Sequence, residues 1–177
     1  ITHRLPDGTP CRITGTIQNI TGRKQAEISL RESEERFRGL FNNANDMIIL
    51  YGLSNGNNPG QFIEVNDEAC RKLKYARKDF LSLTPQDLVP PASWDYIRMS
   101  AKILKETKHA TFETFLLTKD RQQIPVETNI HLFDFRNRAV ALAIIRDISE
   151  RKKAEEALRL LKISVDSAYD EVFWMDF

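Results

Sequence analysis

The chain has 177 residues, with 26 Lys and Arg against 25 Asp and Glu, so its formal net charge is +1. That length sustains a core without metals or disulfides. The near-balance of charge argues against a dedicated nucleic-acid or anionic-membrane surface, which shows as a basic excess. The two cysteines, Cys11 and Cys70, sit far apart in no paired spacing, as expected in a reduced, cytoplasmic compartment. The longest apolar run, AVALAII (139–145), is strand-length and too short to cross a bilayer. No basic-then-apolar leader opens the sequence, though a longer parent could still be membrane-anchored.

In chain order, ITHRLPDGTPCRITGTIQNIT (1–21) places an Asp-Gly turn between two strand-like runs and predicts a hairpin. Residues 24–43 read as a helix with Ala26, Leu30, Phe37, Leu40 and Phe41 along a broad stripe. DMIILYGL (46–53) and QFIEV (61–65) read as paired strands around a loop, SNGNNPG (54–60). Asn66 is placed to cap a short helix, NDEACRKLKY, because its amide oxygen can accept from free first-turn amides. Short helical turns follow near KDFL (78–81) and PQDL (85–88). Pro90 and Pro91 then open a longer helix to about Lys105, with Trp94, Ile97, Ala101 and Leu104 on its inner face. Three strands follow at roughly 109–118, 123–134 and 139–148, with RNR (136–138) turning the second into the third. In the second, Val126, Thr128, Ile130 and Leu132 alternate with Glu127, Asn129, His131 and Phe133. Five strands, two then three, with helices inserted between them, make an α+β unit. The helices cover one sheet face and leave the other for a flanking helix or a second copy.

One junction is spelled twice. IQNITGRKQAEISL (17–30) aligns without a gap on IRDISERKKAEEAL (145–158), at an offset of 128 residues. FNNANDMIILYGL (41–53) likewise resembles VDSAYDEVFWMDF (165–177). An internal repeat of this kind implies the tail of one unit, a complete second unit and the head of a third. Such a chain reads as a segment of a longer protein.

FIEVNDEACRKLKY, PQDLVPP and above all DISERKKAEEAL resemble the PAS domain, a sensory module of bacterial and archaeal signalling proteins. The resemblance implies a PAS fold: a five-stranded antiparallel sheet, short helices on one face, and flanking linker helices. It divides the chain into the C-terminal hairpin of a preceding PAS domain (1–22), a linker helix (23–43), a complete domain (44–148), a linker helix (149–164) and the start of a following PAS domain (165–177). Two positions depart from the family pattern. Asn19 stands where Asp is usual, and Lys74 follows the short helix where many relatives have Gly.

The repeated stretch then marks where each sheet hands over to a helix. Ile148 anchors the last strand, Ser149 can cap the outgoing helix, and Glu150 lies near its positive end. Asp147 can tie strand to helix, with Arg151 and Lys152 as candidate partners. The bland alternative is that Asp147 merely caps a solvated turn.

An interior lined by Ile48, Leu50, Phe62, Val65, Leu73, Phe80, Leu88, Trp94, Ile97, Leu104, Val126, Ile130, Leu142 and Ile144 is expected, either packed or holding a small pocket. Tyr75, Thr128 and Asn129 are the candidate polar groups there. Light-sensing flavin relatives carry a reactive Cys before the long helix, and SLTPQDLVPPASW (82–94) has none. Cys70 instead reads as a small packed residue. Haem-binding relatives use an axial His on the long helix, and residues 91–105 contain none; His109 and His131 read as turn or surface residues. No cofactor is expected, while an unidentified small-molecule ligand remains open. No nucleophile, metal spacing or phosphate loop marks an enzyme. The adjacent pairs Glu34–Glu35 and Glu155–Glu156 diverge by about 100° on a helix and form no acid–base couple.

The expected function is sensory relay from sheet to C-terminal linker helix within a multidomain protein, with a histidine kinase as the expected output. The alternative is a ligand-free dimerisation or partner-interaction module using Phe133, Ala141 and Ala143 on the outer sheet face. Expected partners are neighbouring PAS domains, the output domain and a second copy of the chain.

Overall fold

The computed structural model describes residues 2–4, 7–8, 10–12, 19–54, 58–94, 102–104 and 106–172. They fall into two units, residues 1–39 and 40–177. In the first, β1 (Thr2–Arg4) and β2 (Pro10–Arg12) pair as an antiparallel hairpin. Gly8 takes φ 84 in the turn, a conformation that favours glycine. Helix α1 (Thr21–Asn42) starts three residues before the expected position. The Asn19 side chain accepts from the Thr21 amide at 3.0 Å, and the Ile20 carbonyl accepts from Lys24 at 2.9 Å. No residue of α1 is buried.

The second unit is built on β3 (Met47–Ser54), β4 (Asn58–Val65), β5 (His109–Leu117), β6 (Gln123–Phe135) and β7 (Arg138–Asp147). All neighbours are antiparallel, in the order β4-β3-β7-β6-β5. The connection from β4 to β5 contains α2 (Asp67–Leu73), α3 (Arg77–Phe80) and 3₁₀ turns at Pro85–Leu88 and Pro91–Ser93. Ala69, Leu73, Phe80 and Leu88 from this layer join the inner sheet face in one buried cluster. Helix α4 (Ser149–Val172) leaves from β7 and runs past residue 164, where the linker was expected to end. The long helix expected from Pro91 to Lys105 falls mostly outside the described residues, including Ile97 and Ala101; Trp94 and residues 102–104 are helical.

Two stretches differ from expectation. Much of the presumed loop 54–60 is strand, because Ser54 pairs with Asn58 and Leu53 with Pro59. Close strand approach there requires small residues: a Cβ on Gly60 would sit 3.0 Å from the Gly52 carbonyl oxygen. The β6–β7 turn is the second case. It contains two residues, Arg136 and Asn137, both with positive φ (48 and 64), the pattern of a tight primed hairpin turn. Phe135 therefore pairs with Arg138, and Ile130 with Ala143. The three-residue turn RNR would have set Ile130 against Ile144. One residue of slip exchanges the two faces of a strand. Ile48, Leu50, Leu142 and Ile144, expected inside, lie on the outer face, and Ile144 is 37% exposed. Met47, Ile49, Tyr51, Ala141, Ala143 and Ile145 form the buried face instead. Ala141 and Ala143 are thus core residues, not surface ones, while Phe133 is exposed as expected.

Lys74 explains a family habit. It takes φ 62 as the residue closing α2, where glycine would be unstrained. Its ammonium reaches Asp120 at 2.7 Å and Gln122 at 3.0 Å.

Asn66 caps α2 as expected and does more. Its Oδ1 accepts from Ala69 at 3.0 Å and from the Ile48 amide at 2.9 Å. Its Nδ2 donates to the carbonyls of Asp46 at 2.9 Å and Phe41 at 3.2 Å. The residue is fully buried and all four hydrogen-bonding positions of its amide are filled. Asn66→Ala removes four buried hydrogen bonds, to two amides and two carbonyls, and should cost about 3 kcal/mol in chemical denaturation. Asn66→Asp keeps the cap but replaces the doubly donating NH2 with one oxygen that faces two carbonyls. It should be destabilised near neutral pH and partly recovered on acidification, when the carboxyl can donate one hydrogen bond. A melting temperature unchanged in both variants would contradict this account.

Candidate functional site

The inner sheet face encloses a cavity of about 90 Å³. Its floor comes from β3, β5, β6 and β7 through Ile49, Phe112, Ile130 and Ile145; Leu88, Val89 and Leu104 form the roof. The Leu83 carbonyl accepts from the Phe62 amide at 3.1 Å, which holds the roof segment against β4. Thr84 adds a local lock, its amide and hydroxyl both donating to Asp87 Oδ2 at 2.8 Å. Among the described residues no charged side chain lines the cavity.

Of the expected pocket residues, Phe62, Leu88, Leu104, Thr128 and Ile130 line this space. Val65, Leu73, Phe80 and Val126 are buried core residues away from it. Trp94 is 44% exposed, so its expected place inside is corrected. Tyr75 packs edge-on against Phe80 at 5.6 Å, outside the cavity. That contact ends a run of aromatic contacts, Tyr51 to Phe62 at 6.2 Å and Phe62 to Phe80 at 5.2 Å. Asn129 faces outward and meets His109 Nε2 at 3.1 Å. His131 also lies on that face, its ring 4.6 Å from His109. Cys70 packs against the core, and burial pushes its thiol up, with Arg77 opposing; it stays protonated at neutral pH.

Sequence reading missed Ile49, Tyr51, Ala143 and Ile145 because strand parity was misassigned on β3 and β7, and it named no lining residue from β5, where Phe112, Thr114 and Leu116 face the cavity. The Tyr51 phenol is pushed up to about 12 by burial.

The junction below the cavity is equally specific. Only Ile148 separates β7 from α4; it is buried and its amide donates to the Pro125 carbonyl at 3.0 Å. The Ile148 carbonyl accepts from Lys152 at 2.9 Å, so Ile148, rather than Ser149, occupies the cap position. Asp147 supplies the side-chain cap: its Oδ1 accepts from the Ser149 amide at 2.9 Å. Its Oδ2 accepts from Lys72 of α2 at 2.5 Å. Arg151 and Lys152, expected as its partners, instead grip Glu113 on β5 at 2.5 and 2.7 Å, with Glu127 on β6 3.9 Å from Arg151. One legible signal existed. Glu113 and Glu127 lie directly opposite on the outer face, and like charges there require cations nearby.

Partial burial pushes the Asp147 carboxyl up, but hydrogen bonds from Lys72 and from the Ser149 side chain and amide outweigh it and hold it below the usual range. Glu113 is lowered too, first by Lys152 and then by Arg151. The first junction repeats the backbone geometry, with Asn19 accepting from Thr21 as Asp147 does from Ser149. An amide there caps the helix without carrying charge.

Among the described residues no helix is long and apolar enough to cross a membrane. None of their His, Cys, Asp and Glu side chains forms a metal-binding group of three.

Comparison with known proteins places this architecture. The chain is 31% identical over 139 residues to the methyl sulfide methyltransferase-associated sensor of Methanosarcina acetivorans, covering 77% of this chain and 13% of that protein. It is 29% identical over 153 residues to sporulation kinase E of Bacillus subtilis, covering 81% of this chain and 18% of the kinase. The chain thus spans less than a fifth of these relatives. A PAS domain from a two-component sensor histidine kinase superposes with TM-score 0.55 at 24% identity, covering 66% of this chain and 98% of its own. A PAS domain from Colwellia psychrerythraea gives TM-score 0.59 at 20% identity, covering 67% and 98%. The PAS domain profile matches residues 45–150, the sheet, cavity and junction described above, and the chain belongs to the PAS domain family.

Proposed function

We propose that this PAS sensory domain relays a change in its sheet to α4, and through α4 to an output domain further along the parent protein. The carrying observation is the direct passage from β7 to α4 across the single residue Ile148, with Asp147 bonded to both α2 and the first turn of α4. A shift of α2 or β7 acts on the base of α4 with no flexible loop to absorb it. Relay also needs two arrangements of similar energy, biased by the stimulus. Sporulation kinase E and the sensor histidine kinase TmoS of Ectopseudomonas mendocina are relatives, which supports a histidine kinase as the output, with neighbouring PAS domains at residues 1–22 and 165–177.

A second reading is a dimerisation surface on the outer sheet face, supported by exposed Phe133, Phe135 and Ile144. Sedimentation over a range of concentrations tests it; a strict monomer carrying Phe133 in solvent removes it.

Asp147→Asn retains an oxygen for the Ser149 amide but loses the charge that meets Lys72; Asp147→Ala loses both. Each should keep the fold. Loss of the cap in Asp147→Ala should speed hydrogen exchange in the first turn of α4 about five-fold, from about 1 kcal/mol. In the full-length parent both variants should uncouple output from stimulus. Normal coupling in both would leave Asp147 as a simple cap and refute the relay.

The junction also has a defined pH response. Because the folded carboxyl of Asp147 is depressed, its contribution is present above the ordinary Asp value of about 3.9 and is lost as pH falls below that through the folded value. First-turn exchange protection of α4 should therefore be level from pH 5 to 8 and fall only in acid. A transition near pH 6.5 would point to a histidine instead.

A further inference from the structure

The cavity carries a chemical preference of its own. Thr128 is 5% exposed, lines the cavity, and its hydroxyl oxygen has no hydrogen-bond partner among the described residues. Buried hydroxyls are nearly always satisfied, so this one calls for a polar atom inside the cavity. Among the described residues the surroundings are otherwise apolar, with Tyr51 and Thr114 the other hydroxyl-bearing residues on the wall. Thr114 lies on the same face two residue pairs from Thr128, since Thr114 opposes Val126 and Phe112 opposes Thr128.

These features exclude most ligand classes. A carboxylate, phosphate or ammonium would meet no opposite charge among the described residues, at a large desolvation cost. At about 90 Å³ the space is smaller than the roughly 150 Å³ cavity that accommodates benzene, so a flavin or haem does not fit. A pure hydrocarbon would fill the volume and leave the Thr128 hydroxyl unmade.

Taking the sensory reading above as its basis, we propose that the cavity binds a neutral organic molecule of about four to six non-hydrogen atoms, with one hydroxyl or carbonyl oxygen hydrogen-bonded to Thr128. Threonine can donate or accept, so alcohols and ketones both qualify. The Tyr51 phenol stays protonated and adds no charge to the wall. The position of Thr128 also gives occupancy a route outward. Val126, two residues along β6, pairs with Asp147, and Thr128 itself pairs with Ile145, two residues before Asp147 on β7. A molecule pressing on Thr128 and Ile145 acts on the two strands that hold the base of α4.

The test is methyl-detected NMR titration of the 177-residue chain with 1-butanol, 2-butanone, n-pentane, butyrate and butylammonium, repeated on Thr128→Val and Tyr51→Phe. Butanol and butanone should produce saturable shifts at Ile49, Ile130 and Ile145, and the two ions none. Thr128→Val, of the same shape, should weaken butanol at least five-fold and leave pentane unchanged. It should also raise the melting temperature of the unliganded chain, since it removes an unsatisfied hydroxyl. Pentane binding as tightly as butanol, butanol affinity unchanged in Thr128→Val, preferential binding of an ion, or no saturable shift with any probe would each overturn the proposal. Binding is read here without any output domain, so failure of this site and failure of the Asp147 relay are separate results.

Discussion

The buried amide of Asn66 is the constraint on which the domain's arrangement rests. Its four hydrogen bonds join the end of α1, the residue before β3, the second residue of β3 and the first turn of α2. These segments are up to 25 residues from it in sequence, and each presents one backbone group to the Asn66 amide. A primary amide, with two donors and two acceptor positions, satisfies all of them at once; Asp lacks the donors and Ser the reach. Fixing α2 has a further effect. Lys72 projects from α2 to Asp147, so the polar knot at Asn66 also sets where the outgoing helix is held.

The sheet's two faces do different work, and the base of α4 touches both. Inside, the described residues around the cavity are uncharged and mostly apolar. Outside, Glu113, Glu127, Arg146 and the paired histidines are solvated, with Arg146 forking onto Asp46 at 2.9 and 3.2 Å. The two clamps on α4 differ accordingly. Lys72 and Asp147 side chains are 31% and 21% exposed, against 44% and 43% for Arg151 and Glu113. Salt and water screen the outer pair more, so the inner one carries more of the coupling to the helix layer.

Much of this was legible in the sequence because local chemistry and tertiary need agreed. The hairpin at Asp7–Gly8, the cap at Asn66 and the alternation along β6 each had one physical reading. The DIS junction was legible as a handover from strand to helix, since a short polar cap after an apolar strand has few other uses. The faces of β3 and β7 were not. IIL and AVALAII are apolar at every position, so periodicity gives no parity, and the answer lay in whether a turn held two residues or three. Partners distant in sequence were equally hidden: nothing around residue 72 announces residue 147. The unmet hydroxyl of Thr128 was visible only as one of several polar candidates, because being unpartnered is a property of the packed state.

Helix α4 extends 24 residues from its clamped first turn, a length of about 36 Å at 1.5 Å per residue. A rigid rod pivoting at its foot magnifies angle into displacement. A tilt of about 5° at Ile148 would sweep the far end by about 3 Å over that length, comparable to a side chain moving out of one packing site and into the next. On the proposed relay, a small change between β6 and β7 would be amplified along α4 in the same way.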